Sequence, residues 1–209
     1  MAGLSVYPTF DPTNHGLHVS TSGVSDSELV ERARRGDHAA FGTLVDRHRT
    51  SAFRAALAAL GSPDDAEEVT QEGLVAAFRH LGDFREQASF KTWLLAIVWR
   101  KALTRRRSVR ALLHRMVAPP EDTEWQFPDT SRSQERELID VELADHVRRL
   151  IAGLSPKLRD VLLLTTAGEQ TYDEIAGVLG IPVGTVKWRV AEARRQLKGR
   201  LATLGYGHV

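Results

Sequence analysis

The chain contains no cysteine and no long apolar run, and its positive and negative charges nearly balance. Without cysteine it forms no disulfide framework, no thiolate metal site and no cysteine nucleophile. The longest apolar stretch, at 93–99, falls well short of the roughly 18 to 20 residues that span a bilayer. No basic run followed by an apolar core opens the chain, so we expect a cytoplasmic protein without membrane insertion. With 28 basic and 27 acidic side chains the net charge is +1, so affinity for nucleic acid must come from local segregation of charge.

Apolar residues recur at spacings of three and four in two separate stretches, and no strand-like alternation is present. This pattern predicts an all-α fold of two small helical domains, at 25–115 and 135–204. Proline and acidic residues replace the helical period at 116–134, which predicts a flexible acidic linker. Residues 1–24 mix Pro, Gly, Ser and Thr without a sustained period, so we expect a flexible N-terminal arm.

One predicted helix begins near Asp64 and carries acidic residues in its first turns. Such acids suit the positive end of the helix dipole, so a solvated helix start explains them without any function. The spacing of its apolar residues predicts the buried side of this helix and the turn that follows. That side consists of Val69, Leu74, Ala77, Phe78 and Leu81.

The stretch from Arg100 to Arg115 holds seven basic residues and no acid, in contrast to the neutral average of the chain. It continues an apolar stripe that includes Trp93 and Ile97, and because these two share a helical register we assign Trp93 to the core. Aromatic rings beside cations suit unpaired nucleic acid, since bases stack on rings while positive charges follow phosphates.

The strongest local motif lies at 171–190 and has the pattern of a helix-turn-helix. Thr171 and Glu174 have capping-box spacing, Gly180 suits a left-handed helix end, and a second helix is predicted to begin near Val183. The buried positions of that second helix are Val186, Val190, Ala193 and Leu197. Its other side is strongly basic, which suits the major groove of DNA, although a basic solvated helix is the alternative.

Within this motif, small residues at the helix start allow close approach to a phosphate, and the next side chains reach base edges. The predicted DNA-binding residues are Thr171, Gly184, Thr185, Lys187, Trp188, Arg189 and Arg194. Lys187, Trp188 and Arg189 are assigned to bases, and Arg194 to the DNA backbone.

The two halves, in this order, resemble the extracytoplasmic-function (ECF) sigma factors, group 4 of the sigma-70 family of RNA polymerase subunits. The first half carries SDSELVERARRGDHAAFGTLVDRHR, DDAEEVTQEGLVAAFRHLGDFR and FKTWLLAIVWRKALTRRR, and the second carries LIAGLSPKLRDVLLLTTAGEQTYDEIAGVLGIPVGTVKWRVAEARRQLK. The resemblance implies sigma region 2 in the first domain and sigma region 4 in the second. It implies a non-enzymatic, alternative-type sigma factor that binds core RNA polymerase and promoter DNA, with no cofactor, metal or catalytic residue.

The resemblance also implies specific contacts with polymerase. Region 2 would dock on the clamp of the largest subunit through Asp65, Glu68, Gln71 and Glu72, and region 4 would contact the flap of the second subunit. The linker would thread toward the active centre, with acids that imitate nascent RNA, or would serve only as a spacer. An anti-sigma factor is a further possible partner.

For the promoter minus-ten element, the resemblance implies a loop and a helix that hold unpaired bases. The implied residues are Phe84, Arg85 and Lys91 in the loop, and Arg100, Lys101, Arg105 and Arg106 along the helix. Arg100 and Thr104 depart from the usual Asn and Asp of the family. Trp188 stands where the family commonly has a small hydroxyl residue, so the promoter preference at both elements is expected to be unusual.

Two other functions compete with this interpretation. An autonomous helix-turn-helix regulator would use the same C-terminal motif without polymerase, but it leaves the acidic and basic helices of the first half unexplained. A metal-dependent nuclease would draw its ligands from Asp64, Asp65, Glu67, Glu68 and His80. These acids cluster at one helix start without a second carboxylate set, so this candidate is weaker.

Overall fold

The computed structural model describes residues 23–116, 146–168 and 170–204, and all regular structure in these ranges is helical. This confirms the prediction of an all-α fold. Most of the predicted arm (1–24) and linker (116–134) lies outside the described residues. The helices are α1 (Asp26–Arg34), α2 (His38–Leu60), α3 (Pro63–Arg79), α4 (Phe90–Met116), α5 (146–152), α6 (Pro156–Thr166), α7 (Tyr172–Leu179) and α8 (Val183–Thr203), with a 3₁₀ turn at Leu81–Asp83.

The helix starts follow local capping chemistry. The Ser25 hydroxyl accepts the Glu28 backbone N–H at the start of α1, and the Ser62 hydroxyl accepts the Asp65 backbone N–H at the start of α3. At the start of α6, Pro156 occupies the first turn, where its missing N–H leaves no hydrogen bond unmade. These local interactions favour the observed starts of α1, α3 and α6.

Helices α1 to α4 enclose the core of the first half. The buried surface of α2 is mostly alanine, including Ala52, Ala55 and Ala59, so neighbouring helices approach it closely. Leu94, a fully buried residue of α4, fills the centre. Gly73 of α3 contributes to the same close packing, because a Cβ built there would lie 2.4 Å from Val98 Cγ2 of α4.

The predicted buried side of α3 is wrong at Phe78. Val69, Ala77 and Leu81 are buried, but Phe78 is 43% exposed. Its ring lies edge-on to Phe41, with centroids 5.0 Å apart, at the margin of the core. The α2 rings of His38 and Phe41 contact one side of Phe78 and leave the rest of it exposed.

The core continues from the first half into the second. Val161 and Leu164 of α6 and Ile175 of α7 belong to the same buried cluster as the α2 and α4 side chains, and all three are fully buried. A smaller cluster joins α6 to α8 through Leu158, Leu162 and Ala193, among others. The two halves are therefore packed together in this conformation.

None of the helices in the described ranges is both long and apolar enough to cross a membrane.

Candidate polymerase and nucleic-acid surfaces

Helix α3 presents the four predicted polymerase-binding residues, here called the acidic face, defined by Asp65, Glu68, Gln71 and Glu72. Spacings of three and four residues bring them to one side of the helix. Glu68, Gln71 and Glu72 are exposed, and Asp65 is half-buried. Gln71 Nε2 donates to Oε1 of the neighbouring Glu67 at 2.9 Å. The structure therefore brings all four predicted side chains together.

The partners of these carboxylates come from α4. Arg105 Nε lies 3.2 Å from Asp65 Oδ1, and the same guanidinium also bonds Glu68. Lys101 Nζ lies 3.0 Å from Glu72 Oε2. The hydrogen bond to Asp65 and the charge of Glu68 raise the pKa of Arg105. Two predicted minus-ten cations thus neutralise three predicted polymerase-binding acids, an arrangement that the sequence did not suggest.

Three of the four carboxylates considered as metal ligands have cationic partners. Asp65 and Glu68 pair with Arg105, and Glu67 pairs with Arg49. Hydrogen bonds from Gln71 and Arg49 lower the pKa of Glu67. In the described ranges no three histidine or carboxylate side chains come close enough together to hold a metal ion.

The predicted minus-ten loop is held from beneath by Phe84, whose side chain is 5% exposed. The ring centroid of Phe84 lies 5.0 Å from that of Trp93 and 6.0 Å from that of Phe90. In this conformation the Phe84 ring is part of the core and has no face open to a base. The Phe84 ring is buried because it packs against Phe90 and Trp93, two aromatic residues of α4. Trp93 is half-buried in the same cluster, as its register predicted.

Arg34, at the end of α1, anchors this loop and was missed at the sequence level. Its guanidinium donates to the backbone carbonyls of Leu81 and Phe84, and lies 5.9 Å from the centre of the Phe84 ring. It also faces Glu86, a residue with a left-handed φ of 56°. In the sequence, a basic residue in a last helical turn indicates only compatibility with the helix dipole, so no local signal identified this role.

The remaining predicted minus-ten cations divide into two groups. Arg85 and Arg100 are exposed, and neither has an ion-pair partner among the described residues. Lys91 and Arg106, in contrast, pair with the second half. Lys91 Nζ lies 2.9 Å from Glu174 Oε1, and Arg106 Nη2 lies 3.0 Å from Asp160 Oδ1.

Helices α7 and α8 form the predicted helix-turn-helix. Thr171 and Glu174 make the complete capping box, and Gly180 ends α7 in the left-handed region with φ 64°. The Ile181 N–H donates to the Ala176 carbonyl across the corner at 3.1 Å, and Pro182 precedes the first turn of α8. Val186, Val190 and Ala193 are buried, and Leu197 is half-buried, as predicted.

The exposed side of α8 is cationic. Lys187 and Arg194 are exposed, Arg189 is half-buried, and none of the three has an ion-pair partner in the described part of the chain. Glu192 is held by Arg195 and Gln196, whose hydrogen bonds lower its pKa to about 2. Among the other predicted contacts, Thr185 is half-buried at the helix start, Gly184 is exposed, and Trp188 is 64% exposed.

Glu174 joins the two halves as well as capping α7. One carboxylate oxygen accepts the Thr171 N–H at 2.8 Å and the other contacts Lys91. Partial burial raises the pKa of Glu174, but the Lys91 ammonium and the Thr171 N–H outweigh it, so the pKa lies below its ordinary value. Close by, Gly177 faces Thr92, and a Cβ built on Gly177 would lie 2.6 Å from Thr92 Cγ2.

Comparison with known proteins gives a match in each half. The family model for Sigma-70 region 2 matches residues 44–123, and the model for Sigma-70 region 4 matches residues 145–197.

Curated relatives match over most of their length. The chain is 32% identical to RNA polymerase sigma-H factor of Pseudomonas aeruginosa over 189 residues, which covers 86% of this chain and 95% of the relative. It is also 32% identical to the ECF RNA polymerase sigma factor SigM of Mycobacterium tuberculosis, covering 88% of each chain.

Solved structures agree with this fold. CnrH, solved in complex with the cytosolic domain of CnrY, is 29% identical, with a TM-score of 0.59 and coverage of 85% of this chain and 97% of that one. RpoE of Bartonella quintana, solved with the anti-sigma factor NepR, is 20% identical with a TM-score of 0.57, and supports the fold alone.

Because the chain carries two sigma-70 regions in this order, a sigma factor is favoured over an autonomous regulator. Sigma factors as a family are not enzymes. The chain belongs to the extracytoplasmic-function sigma factors of the sigma-70 family, alternative sigma factors that bind core RNA polymerase and direct the initiation of transcription at promoters.

Proposed function

We propose that region 2 occupies residues 25–115, that region 4 occupies 135–204, and that 1–24 and 116–134 are an arm and a linker. The N-cap at Ser25 supports the first boundary. Because polymerase transcribes in the cytoplasm, the protein acts there.

The acidic face of α3 is the docking surface for the clamp of the largest polymerase subunit. Glu68 and Glu72 are exposed and Asp65 is half-buried, and ion pairs with Lys101 and Arg105 hold the three carboxylates in place. Exposed ion pairs of this kind contribute only about 0 to 1 kcal/mol each, so a stronger cationic partner can displace them. Region 4 in turn contacts the flap of the second subunit.

The minus-ten strand follows the cationic side of the loop and α4. Arg85 and Arg100 supply charges that no described acid neutralises, and Lys101 and Arg105 gain freedom when polymerase takes the acidic face. The buried Phe84 supports the loop and does not stack on a base in this conformation. Polymerase binding at α3 thus releases Lys101 and Arg105 from their ion pairs, which increases the positive charge available on α4.

The minus-thirty-five element lies along α8. Lys187, Arg189 and Arg194 project from a helix whose other side is buried, and the one acid of this helix, Glu192, is occupied by Arg195. The DNA-binding assignment depends on these unpaired cations, which lie on the second helix of the helix-turn-helix. Neutralisation of phosphates by such cations dominates affinity for DNA.

The isolated protein is expected to bind promoters weakly. Lys91 and Arg106 are paired with Glu174 and Asp160, so contacts between the halves occupy cations proposed for the minus-ten element. Polymerase would separate the halves to the distance that the two promoter elements require. Tight binding of the free protein to a palindromic site would contradict this account and would favour an autonomous regulator.

Run-off transcription with core RNA polymerase on fragmented DNA from the source organism tests the docking surface. The wild-type protein should yield discrete new transcripts. A Glu68→Gln/Glu72→Gln variant should bind core polymerase more weakly than the wild type. Each loss of about 1.4 kcal/mol in binding free energy raises the Kd about tenfold. Asp46→Asn is the control for loss of an exposed carboxylate, because Asp46 is an exposed acid that lies on α2 and not on α3. Equal polymerase binding by both variants and the wild type would place docking elsewhere.

An anti-sigma factor is a further proposed partner. CnrH was solved with the cytosolic domain of CnrY, and RpoE with the anti-sigma factor NepR. Purification of the native protein from its source cells, followed by mass spectrometry, would identify a bound inhibitor. That inhibitor should suppress the run-off transcripts, whereas fully active protein from unstressed cells would argue against one.

A further inference from the structure

Trp188 is the most exposed of the large apolar side chains in the described residues, at 64%. It lies in the second turn of α8, and its indole is in contact with none of the aromatic rings of the described core. Burial in this chain does not explain a tryptophan here, because the buried side of α8 is formed by Val186, Val190 and Ala193.

The neighbours of Trp188 along the helix form an apolar strip. Gly184 precedes it by four residues and Ala191 follows it by three, so the three positions share one side of α8. Both neighbours are exposed, and a Cβ built on Gly184 would meet nothing within 4 Å, which leaves open space beside the indole. The exposed cations Lys187 and Arg194, seven residues apart, both lie along one flank of this strip.

The cations and the apolar strip together indicate what kind of partner surface binds over Trp188. Unpaired cations along one flank favour a polyanion over an apolar protein partner. In the major groove, the thymine 5-methyl is the apolar group among base edges whose other groups are hydrogen-bond donors and acceptors.

We propose that Trp188 is a specificity-determining residue that reads the 5-methyl group of a thymine in the minus-thirty-five element. The indole ring covers the methyl group, and the open strip formed with Gly184 and Ala191 admits the base edge. This rests on the proposed function of α8 in DNA reading. The phosphate-binding cations would set affinity for every sequence, whereas Trp188 would set the preference for one base.

The test uses RNA polymerase holoenzyme reconstituted with the full chain and a promoter library randomised across the minus-thirty-five element. Wild-type transcripts should be enriched in thymine at one position of the element. Trp188→Ser should lose that preference and keep the others, while Trp188→Phe, which retains a ring without the N–H, should keep it. Arg194→Gln, at an exposed residue assigned to the DNA backbone, should lower transcription from all library members similarly.

The methyl group is then removed from the DNA by replacing that thymine with deoxyuridine. Wild-type initiation should fall about fourfold, the effect of withdrawing one buried CH₂-sized group, and Trp188→Ser should give equal initiation from both templates. Because Trp188 is exposed, the urea unfolding midpoint of Trp188→Ser should equal that of the wild type, which separates lost reading from lost folding.

Two results would overturn the inference. One is an identical base preference for wild type and Trp188→Ser at every position, and the other is an equal response of both proteins to deoxyuridine. If the wild-type holoenzyme enriches no minus-thirty-five sequence at all, the proposed role of α8 fails first, a result distinct from a preference that survives without Trp188.

Discussion

Replacement of Gly177 by alanine would measure directly how tightly α7 packs on α4. In the interior of a helix, alanine is more stable than glycine by about 1 kcal/mol. The new methyl group would, however, lie 2.6 Å from Thr92 Cγ2, and Thr92 is buried. Overpacking of this kind typically costs about 1 to 3 kcal/mol. We therefore expect Gly177→Ala to lower the free energy of unfolding by about 0 to 2 kcal/mol.

The matched control is Gly199→Ala in α8. Gly199 is also inside a helix, and a Cβ built there meets no atom within 4 Å. It should therefore show the helix-propensity gain alone, about 1 kcal/mol of added stability. Both free energies come from urea unfolding followed by far-UV circular dichroism.

A second substitution locates the clash. Thr92→Ser removes Cγ2 but keeps the hydroxyl, which lies 2.9 Å from the Ser89 hydroxyl. In the double variant the Gly177→Ala substitution should become favourable, with a coupling energy of about 1 kcal/mol or more between the two sites. If Gly177→Ala instead stabilises the protein as much as Gly199→Ala, with coupling below about 0.3 kcal/mol, α7 does not pack on α4 in solution.

Three other variants probe the cap, the core and the contact between the halves. Thr171→Ala removes the capping hydroxyl of α7 and should cost about 0.5 to 2 kcal/mol in urea unfolding; an unchanged midpoint would show that the capping box contributes little. Leu94→Ala, at a fully buried site, should cost about 2 to 5 kcal/mol by the same measurement, and a loss below 1 kcal/mol would contradict its central position. Glu174→Gln should be less stable than the wild type at neutral pH. Because the folded-state pKa of Glu174 is lowered by Lys91 and the Thr171 N–H, this difference should shrink as the pH falls below the ordinary value of 4.5, and a pH-independent difference would exclude the ionised contact.

Much of the helical architecture followed from the sequence alone. The cap at Thr171, the left-handed Gly180 and the buried stripe of α8 were all predicted, and the structure confirms them. Each depends on residues within about four positions of one another, so the chain needs no distant contact to specify them. The order of the two motif sets also identified the sigma factor family.

The tertiary structure decided the surroundings of the candidate site residues. Phe78 lies at the margin of the core and Phe84 lies inside it, because burial depends on which helix covers each flank, and helical spacing does not reveal this. The pairing of Arg105 with Asp65 and of Arg106 with Asp160 joins residues 40 and 54 positions apart. In sequence each is one charge among many. Only the packing of α3 against α4, and of the second half against the first, selects its partner.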